Sequence, residues 1–237
     1  MYVHYLHLQR EEKHEELLED LRSRRGVLHD SSKRCVFVDL GAGRADTLRV
    51  FLRERDAKFS YDYPIPYWAH YTTCEIYLFE ANPRFTADLR RAESLYRSRG
   101  FNVTVFPEHA CTDYDGIATL YLDEKNKDND YWLTSCHNKA TSLYSQGRPI
   151  NVTAIDIASW LAASFKPEDY VLVKMDIEKA EFFVLPRMVE VHADTVVDTL
   201  MVELHPYDFA DEQIAKGWKA IEELSKTILI PYYDSFA

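Results

Sequence analysis

Between Val171 and Leu185 the chain reads VLVKMDIEKAEFFVL, an apolar run that places Lys174, Asp176, Glu178 and Glu181 within eight residues. Burying an unpaired charge costs several kcal/mol, so these groups either pair with one another or face a site that uses them. Lys174 and Asp176 are two residues apart and point to the same side of a strand, so they can neutralise each other while facing a pocket. Glu178 and Glu181 are expected to open the following helix, whose N-terminal dipole favours carboxylates. Further along, MVELHP sets Glu203 and His205 two residues apart, and a carboxylate neighbour raises the proton affinity of an imidazole. Two chemistries suit this set. Asp176, Glu178 or His205 can serve as a general base, a role worth ~10²–10⁴-fold in rate. Alternatively Asp176, Glu178 and Glu203 can hold a divalent cation that acidifies a bound hydroxyl. The residues leave that choice open.

A second constellation lies near the N-terminal third. VDLGAGRAD (38–46) is a glycine turn after an apolar strand, and Gly41 and Gly43 allow close backbone approach to a ligand. In a dinucleotide turn the third small residue would fall at Asp46, where a carboxylate repels a pyrophosphate. There is no G-x-x-x-x-G-K-[ST] run either. A ligand with a cationic centre and no phosphate fits better, and S-adenosylmethionine is one. Asp39 and the glycine backbone are expected to hold its amino-acid end. Glu80, closing the next strand, can accept two ribose hydroxyls at once.

The elements that must position these groups follow from periodicity. Strands are expected over 35–43, where the strand runs into the glycine turn, and at 75–80, 102–106, 170–175, 195–206 and 227–233. Amphipathic helices are expected after Asp46, from Asn82 to Gly100, over 156–165 with Asp156 as N-cap, and over DEQIAKGWKAIEEL. Residues 5–25 read as a surface helix. The aromatic stretch 58–74 reads as an ordered loop that either covers a sheet edge or closes over a ligand. A long polar excursion follows the strand that begins at Gly116. Short apolar strands alternating with helices predict a doubly wound, mostly parallel α/β sheet with helices on both faces. Ligands of such sheets sit beyond the carboxyl ends of the strands.

VFVDLGAGRAD, IYLFEANPRF, HACTDYDGIATLYL, INVTAIDIASWL and VLVKMDIEKAEFFVL, in that order, resemble the successive blocks of the FkbM-type methyltransferases over roughly residues 34–206, with MVELHP following. The resemblance implies a class I methyltransferase (Rossmann-like) domain over 34–237, preceded by a helical extension over 1–33. It implies S-adenosylmethionine as donor, held by Asp39, Gly41, Gly43, Glu80, Ala81, Asn82, His109 and Ala110. It further implies O-methylation of a sugar hydroxyl on a glycan or glycosylated metabolite, with Lys174, Asp176, Glu178, Glu203 and His205 around the reacting groups. Lys179 and Ala45 stand where that family has glycine. The alternatives are a non-catalytic donor- or glycan-binding module on the same fold, and a nicotinamide-dependent oxidoreductase, which Asp46 disfavours.

Composition narrows the partners. A net charge of −11 over 237 residues argues against a nucleic-acid backbone, and no apolar run is long enough to insert into a membrane. The N-terminus lacks the apolar core of a secretory signal, so a cytoplasmic location is expected, alone or as one domain of a larger glycan-modifying protein. Cys35, Cys74, Cys111 and Cys136 are widely spaced without C-x-x-C and are expected to be reduced core thiols.

Overall fold

The computed structural model describes residues 33–59, 61–123, 134–136, 148–206, 210–231 and 233. The expected helix at 5–25, most of the polar excursion after Asp123 and the extension before residue 33 lie outside the described residues. Among the described residues the strands and α-helices are, in chain order, β1 (Cys35–Leu40), α1 (Asp46–Phe51), β2 (Glu75–Glu80), α2 (Thr86–Ser98), β3 (Asn102–Pro107), β4 (His109–Thr112), β5 (Gly116–Leu122), β6 (Arg148–Asp156), α3 (Ile157–Ser164), β7 (Tyr170–Met175), α4 (Glu181–Glu190), β8 (Thr199–Val202) and α5 (Asp211–Leu224). Five strands form one parallel sheet in the order β3-β2-β1-β7-β8.

β1 and β7 are buried along their whole length, as expected of strands with helices on both faces. Side chains alternate between two cores. Val36, Val38, Leu40, Val171, Val173 and Met175 pack on one side with residues of α3, α4 and α5. Cys35, Phe37, Tyr170 and Leu172 pack on the other with α1, α2 and the aromatic loop. The register sets Asp39 directly opposite Lys174, both on this second side. At the α4–α5 contact Gly217 leaves room for the Phe182 ring, which would stand 2.4 Å from an added Cβ. Asp156 caps α3 by accepting the Ser159 N–H at 3.0 Å, as its position suggested.

Four expectations need correction. A separate three-stranded sheet, β4-β6-β5, was not foreseen. The chain leaves the large sheet at Glu108, whose φ of 62° turns β3 into β4 and brings His109 and Ala110 round to the strand ends. The strand expected at 227–233 is reduced to a single bridge between Leu229 and Thr199. Cys35 and Cys74 are not reduced thiols but a disulfide with Cα atoms 4.5 Å apart. The parallel register that sets Val36 opposite Glu75 brings the two cysteines together across 39 residues of sequence, a proximity that spacing alone cannot reveal. Cys111 and Cys136 are free thiols. Finally, Glu178 does not open a helix: α4 begins at Glu181, and Glu178 and Lys179 occupy a left-handed turn with φ of 51° and 84°.

The aromatic loop is mainly a core cover. Tyr63 is fully buried against Phe37 and Phe51, with ring centroids 5.4 and 5.6 Å away. Among the described residues of this stretch, Lys58 and Phe59 reach the cavity described next. Among the described residues no helix is long and apolar enough to cross a membrane.

Candidate active site

A cavity of about 890 Å³ opens beyond the carboxyl ends of β1, β2 and β7. Gly41, Gly43, Glu80, Ala81, Asn82, His109, Ala110, Lys174, Asp176 and Glu178 all line it. Its first wall is the turn after β1. Gly41 adopts φ +87°, and an added Cβ there would lie 1.8 Å from the Asp176 carbonyl oxygen. Gly41 is therefore required by the approach of two turns to each other, not only by a ligand. Gly43 adopts φ +52° with no atom within 4 Å of an added Cβ, so its open side is the cavity.

Glu80 ties this turn to β2. One carboxylate oxygen accepts the Gly43 N–H at 2.8 Å, the other the Asn82 N–H at 2.6 Å. Burial pushes the Glu80 carboxyl up, against the pull of those two amides. Each oxygen keeps a second lone pair for a ligand hydroxyl. Asn82 caps the next turn by accepting the Arg84 N–H, and its side-chain amide donates to Thr134 at 3.3 Å.

Asp39 departs from its expected role. It is fully buried, does not line the cavity, and stands behind the turn as counter-ion to Lys174, whose Nζ is 3.3 Å from Asp39 Oδ1 and 3.4 Å from Asp176 Oδ2. Lys174 also donates to the Gly41 carbonyl at 3.0 Å. Burial opposes charge on Lys174, but Asp39 and Asp176 outweigh it and hold the ammonium protonated. Burial pushes Asp39 up, with Lys174 pulling the other way. Its oxygens make no hydrogen bond of good geometry despite the 3.3 Å ion pair, so its stability rests on charge rather than on directed bonding.

On the far side of Asp176 stands His205, buried beside three carboxylates. Its Nδ1 is 3.0 Å from Glu181 Oε1, which also accepts the Ile177 N–H at 2.8 Å. Its Nε2 faces Glu203 at 3.6 Å and Asp176 at 3.9 Å. Burial opposes protonation of this imidazole, yet the Glu181 hydrogen bond and Glu203 outweigh it, so its proton affinity is raised. Burial pushes the Glu178 carboxyl up to about 8, with His205 opposing. Of the acids expected to ligate a cation, Asp176 and Glu178 come together, but their third companion is His205 rather than Glu203. Neither His205 nor Glu203 borders the cavity directly. Glu181 opens α4, as expected of a helix-start acid, and is also the buried partner of His205, 24 residues away.

Sequence reasoning missed Thr134, Ser135 and Cys136, which also line the cavity. Ser135 donates to the Glu178 carbonyl at 2.6 Å and so holds the left-handed turn. These residues sit inside a polar excursion with no periodic signal. The φ of 84° at Lys179 gives a physical reason for glycine at that position in the blocks this chain resembles, since a side chain there costs about 1–3 kcal/mol of strain.

A parallel sheet in the order β3-β2-β1-β7-β8, with a glycine turn after β1 and an acid closing β2, defines an α/β protein of the Rossmann-like methyltransferase fold. The chain belongs to the FkbM methyltransferase family: the model of the methyltransferase FkbM domain matches residues 41–224. Comparison with curated proteins and with solved structures finds no match.

Proposed function

We propose that this methyltransferase transfers a methyl group from S-adenosylmethionine to a sugar hydroxyl of a glycan or glycosylated metabolite. The observation that carries the reading is the pairing, in one cavity, of a glycine turn tied to Glu80 with the acid cluster around Asp176. The donor would supply an electrophilic methyl at its sulfonium centre. Glu80 and the backbone around Gly43 would hold it, since both residues line the cavity, Gly43 has an open side and each Glu80 oxygen accepts one protein hydrogen bond. Glu80→Gln keeps the size and one carbonyl acceptor. It is expected to weaken donor affinity by about 1.5–3 kcal/mol, as for a lost charged acceptor. Calorimetry checks this, and unchanged affinity in a folded variant would remove Glu80 from the donor site.

A sugar hydroxyl must lose its proton as the methyl arrives. His205 does not border the cavity, and Glu181 and Glu203 raise its proton affinity, which favours the charged ring that cannot accept a further proton. Asp176 lines the cavity and pairs with Lys174 through one oxygen, so it is the base in this reading. Asp176→Asn removes the charge and keeps the shape. Turnover should fall roughly 10²-fold or more with donor binding nearly unchanged. The assay is transfer of labelled methyl to a panel of sugar acceptors, with a melting curve on the same sample. Normal turnover with a lowered melting point would make Asp176 a structural counter-ion only.

The acceptor as partner, the absence of nucleic-acid and membrane partners, and a place within a larger glycan-modifying protein belong to the same reading. The Cys35–Cys74 bridge supports a compartment where disulfides persist over the cytoplasmic location expected from sequence.

A further inference from the structure

We infer that an arginine-lined groove between α1 and α2 binds acidic glycans, so that the acceptor of methyl transfer is a sugar chain bearing carboxylate, sulfate or phosphate groups. The use of the bound chain as acceptor rests on the function proposed above; its binding by the groove does not.

The groove, of about 790 Å³, lies between α2 on one side and α1 with the segment that follows it on the other. Six arginines line it: Arg44, Arg49, Arg53, Arg55, Arg91 and Arg99. The acids of its lining are Glu54, Asp56 and Asp88, and Arg53 pairs with a fourth, Asp62, outside it. Positive charge therefore prevails here, in a chain that carries 39 acids against 28 lysines and arginines. A concave surface of one sign concentrates ligands of the other.

The acids organise the arginines rather than cancel them. Glu54 accepts from Arg49 at 3.2 Å and from Arg99 at 3.0 Å. Asp88 accepts from Arg91 at 3.2 Å and also from Arg44. One carboxylate shared by two guanidinium groups holds both in place and leaves a net positive charge. The Arg91 side chain stays 76 % exposed, with N–H donors beyond the one given to Asp88. Arg55 is exposed and forms no ion pair among the described residues. Every cation of the groove is arginine, whose planar fork takes two oxygens of a carboxylate or phosphate at once.

A sugar chain fits the rest of the surface. Leu52, Ala92, Leu95 and Tyr96 line the groove beside the arginines, and Leu95 is 42 % exposed. The C–H faces of sugar rings cover such carbons and remove them from water, while acidic substituents reach the guanidinium groups. Arg44 borders both this groove and the cavity beyond the strand ends, and its guanidinium lies 5.0 Å from the centroid of Phe85, which lines that cavity. A chain of several sugars can lie in the groove and reach the rim of the cavity. A single sugar cannot span both.

The test is calorimetry of the full chain with a galacturonate hexasaccharide, a sulfated hexasaccharide, a neutral hexasaccharide and hexaglutamate. At least one acidic hexasaccharide should bind ~10-fold or more tighter than the neutral one at low salt, and weaken several-fold as salt is raised to physiological strength. Arg55→Ala combined with Arg91→Ala should weaken it roughly 5–20-fold, as for two charged contacts at a solvent-exposed site. Circular dichroism confirms folding, and Arg55→Gln with Arg91→Gln replaces the pair if it does not fold. Equal affinity for acidic and neutral sugars, or unchanged affinity in the folded variant, overturns the groove. Hexaglutamate bound as tightly as the acidic sugar overturns its assignment to glycans. In methyl transfer to an acidic oligosaccharide the same variant should raise KM with kcat unchanged, and an unchanged KM overturns the acceptor role. Sugar calorimetry needs neither donor nor turnover, and S-adenosylmethionine calorimetry reads the donor site separately, so failure of the groove and failure of the proposed function are distinguishable.

Discussion

Gly41→Ala is expected to destabilise the protein by roughly 3–5 kcal/mol, near the upper end of single-residue effects. The new Cβ would fall 1.8 Å from the carbonyl oxygen of Asp176 and 3.0 Å from its carbon, and both obstacles are backbone. Flexible side chains can rotate away from a methyl group, but this carbonyl belongs to the residue whose N–H donates to Leu40 at 3.0 Å. The φ of +87° adds strain for any L residue. The two turns forced apart are those that form the cavity, so donor affinity should fall together with stability. A melting point lowered by ~6–20 °C would match this energy in a domain of such size. Gly43→Ala is the control. With nothing within 4 Å it should cost only about 1–2 kcal/mol of backbone strain, while its methyl group occupies cavity space and weakens the donor. A Gly41→Ala chain that melts like the wild type would refute the close approach of β1 and β7 turns.

Lys174→Met should cost about 3–5 kcal/mol, because it leaves Asp39 buried without its counter-ion. Asp39 is 0 % exposed and Lys174 2 %, so water cannot replace the lost ammonium. Methionine fills most of the volume, which isolates charge from packing. Adding Asp39→Asn should recover most of the loss, since a buried neutral pair no longer carries an unpaired charge. The pH dependence has a definite sign. Burial already pushes the Asp39 carboxyl up in the wild type while Lys174 opposes it. Without Lys174 the folded-state value rises further above the unfolded one. The folded state then binds more protons, so the variant should be most stable below the ordinary carboxylate range and lose stability as pH rises through the folded value. Melting curves of the single and double variants from mildly acidic to mildly basic pH check both claims. Equal melting points for Lys174→Met and wild type, or no rescue by Asp39→Asn, would contradict the ion pair.

Much of the site was legible because it lies in short segments with strong local signals. Glu80 ends a β-strand, and two residues later Asn82 begins a helical turn, so its place at a strand end needed only periodicity. The pairing of Lys174 with Asp176 followed from two-residue spacing and holds at 3.4 Å. Asp39 was misplaced for the same reason that it was found. Its position in the strand was clear, but whether it faced a ligand or a neighbouring strand depended on register. Glu178 was misplaced because a left-handed turn at two non-glycine residues runs against local propensity and is held by Ser135, 43 residues away.

By itself the sequence determined the alternation of strands and helices, the cap at Asp156, the strand-end acids and the glycine turn. All of these depend on contacts within a few residues, where period and side-chain chemistry are read directly. Only the tertiary structure decided that Cys35 meets Cys74, that Asp39 serves Lys174, and that His205 turns its Nδ1 to Glu181 while its Nε2 faces Asp176 and Glu203. Those meetings depend on strand register and on which helix face turns inward. A shift of one residue in register would send each side chain to the opposite face, and no short-range pattern encodes that choice.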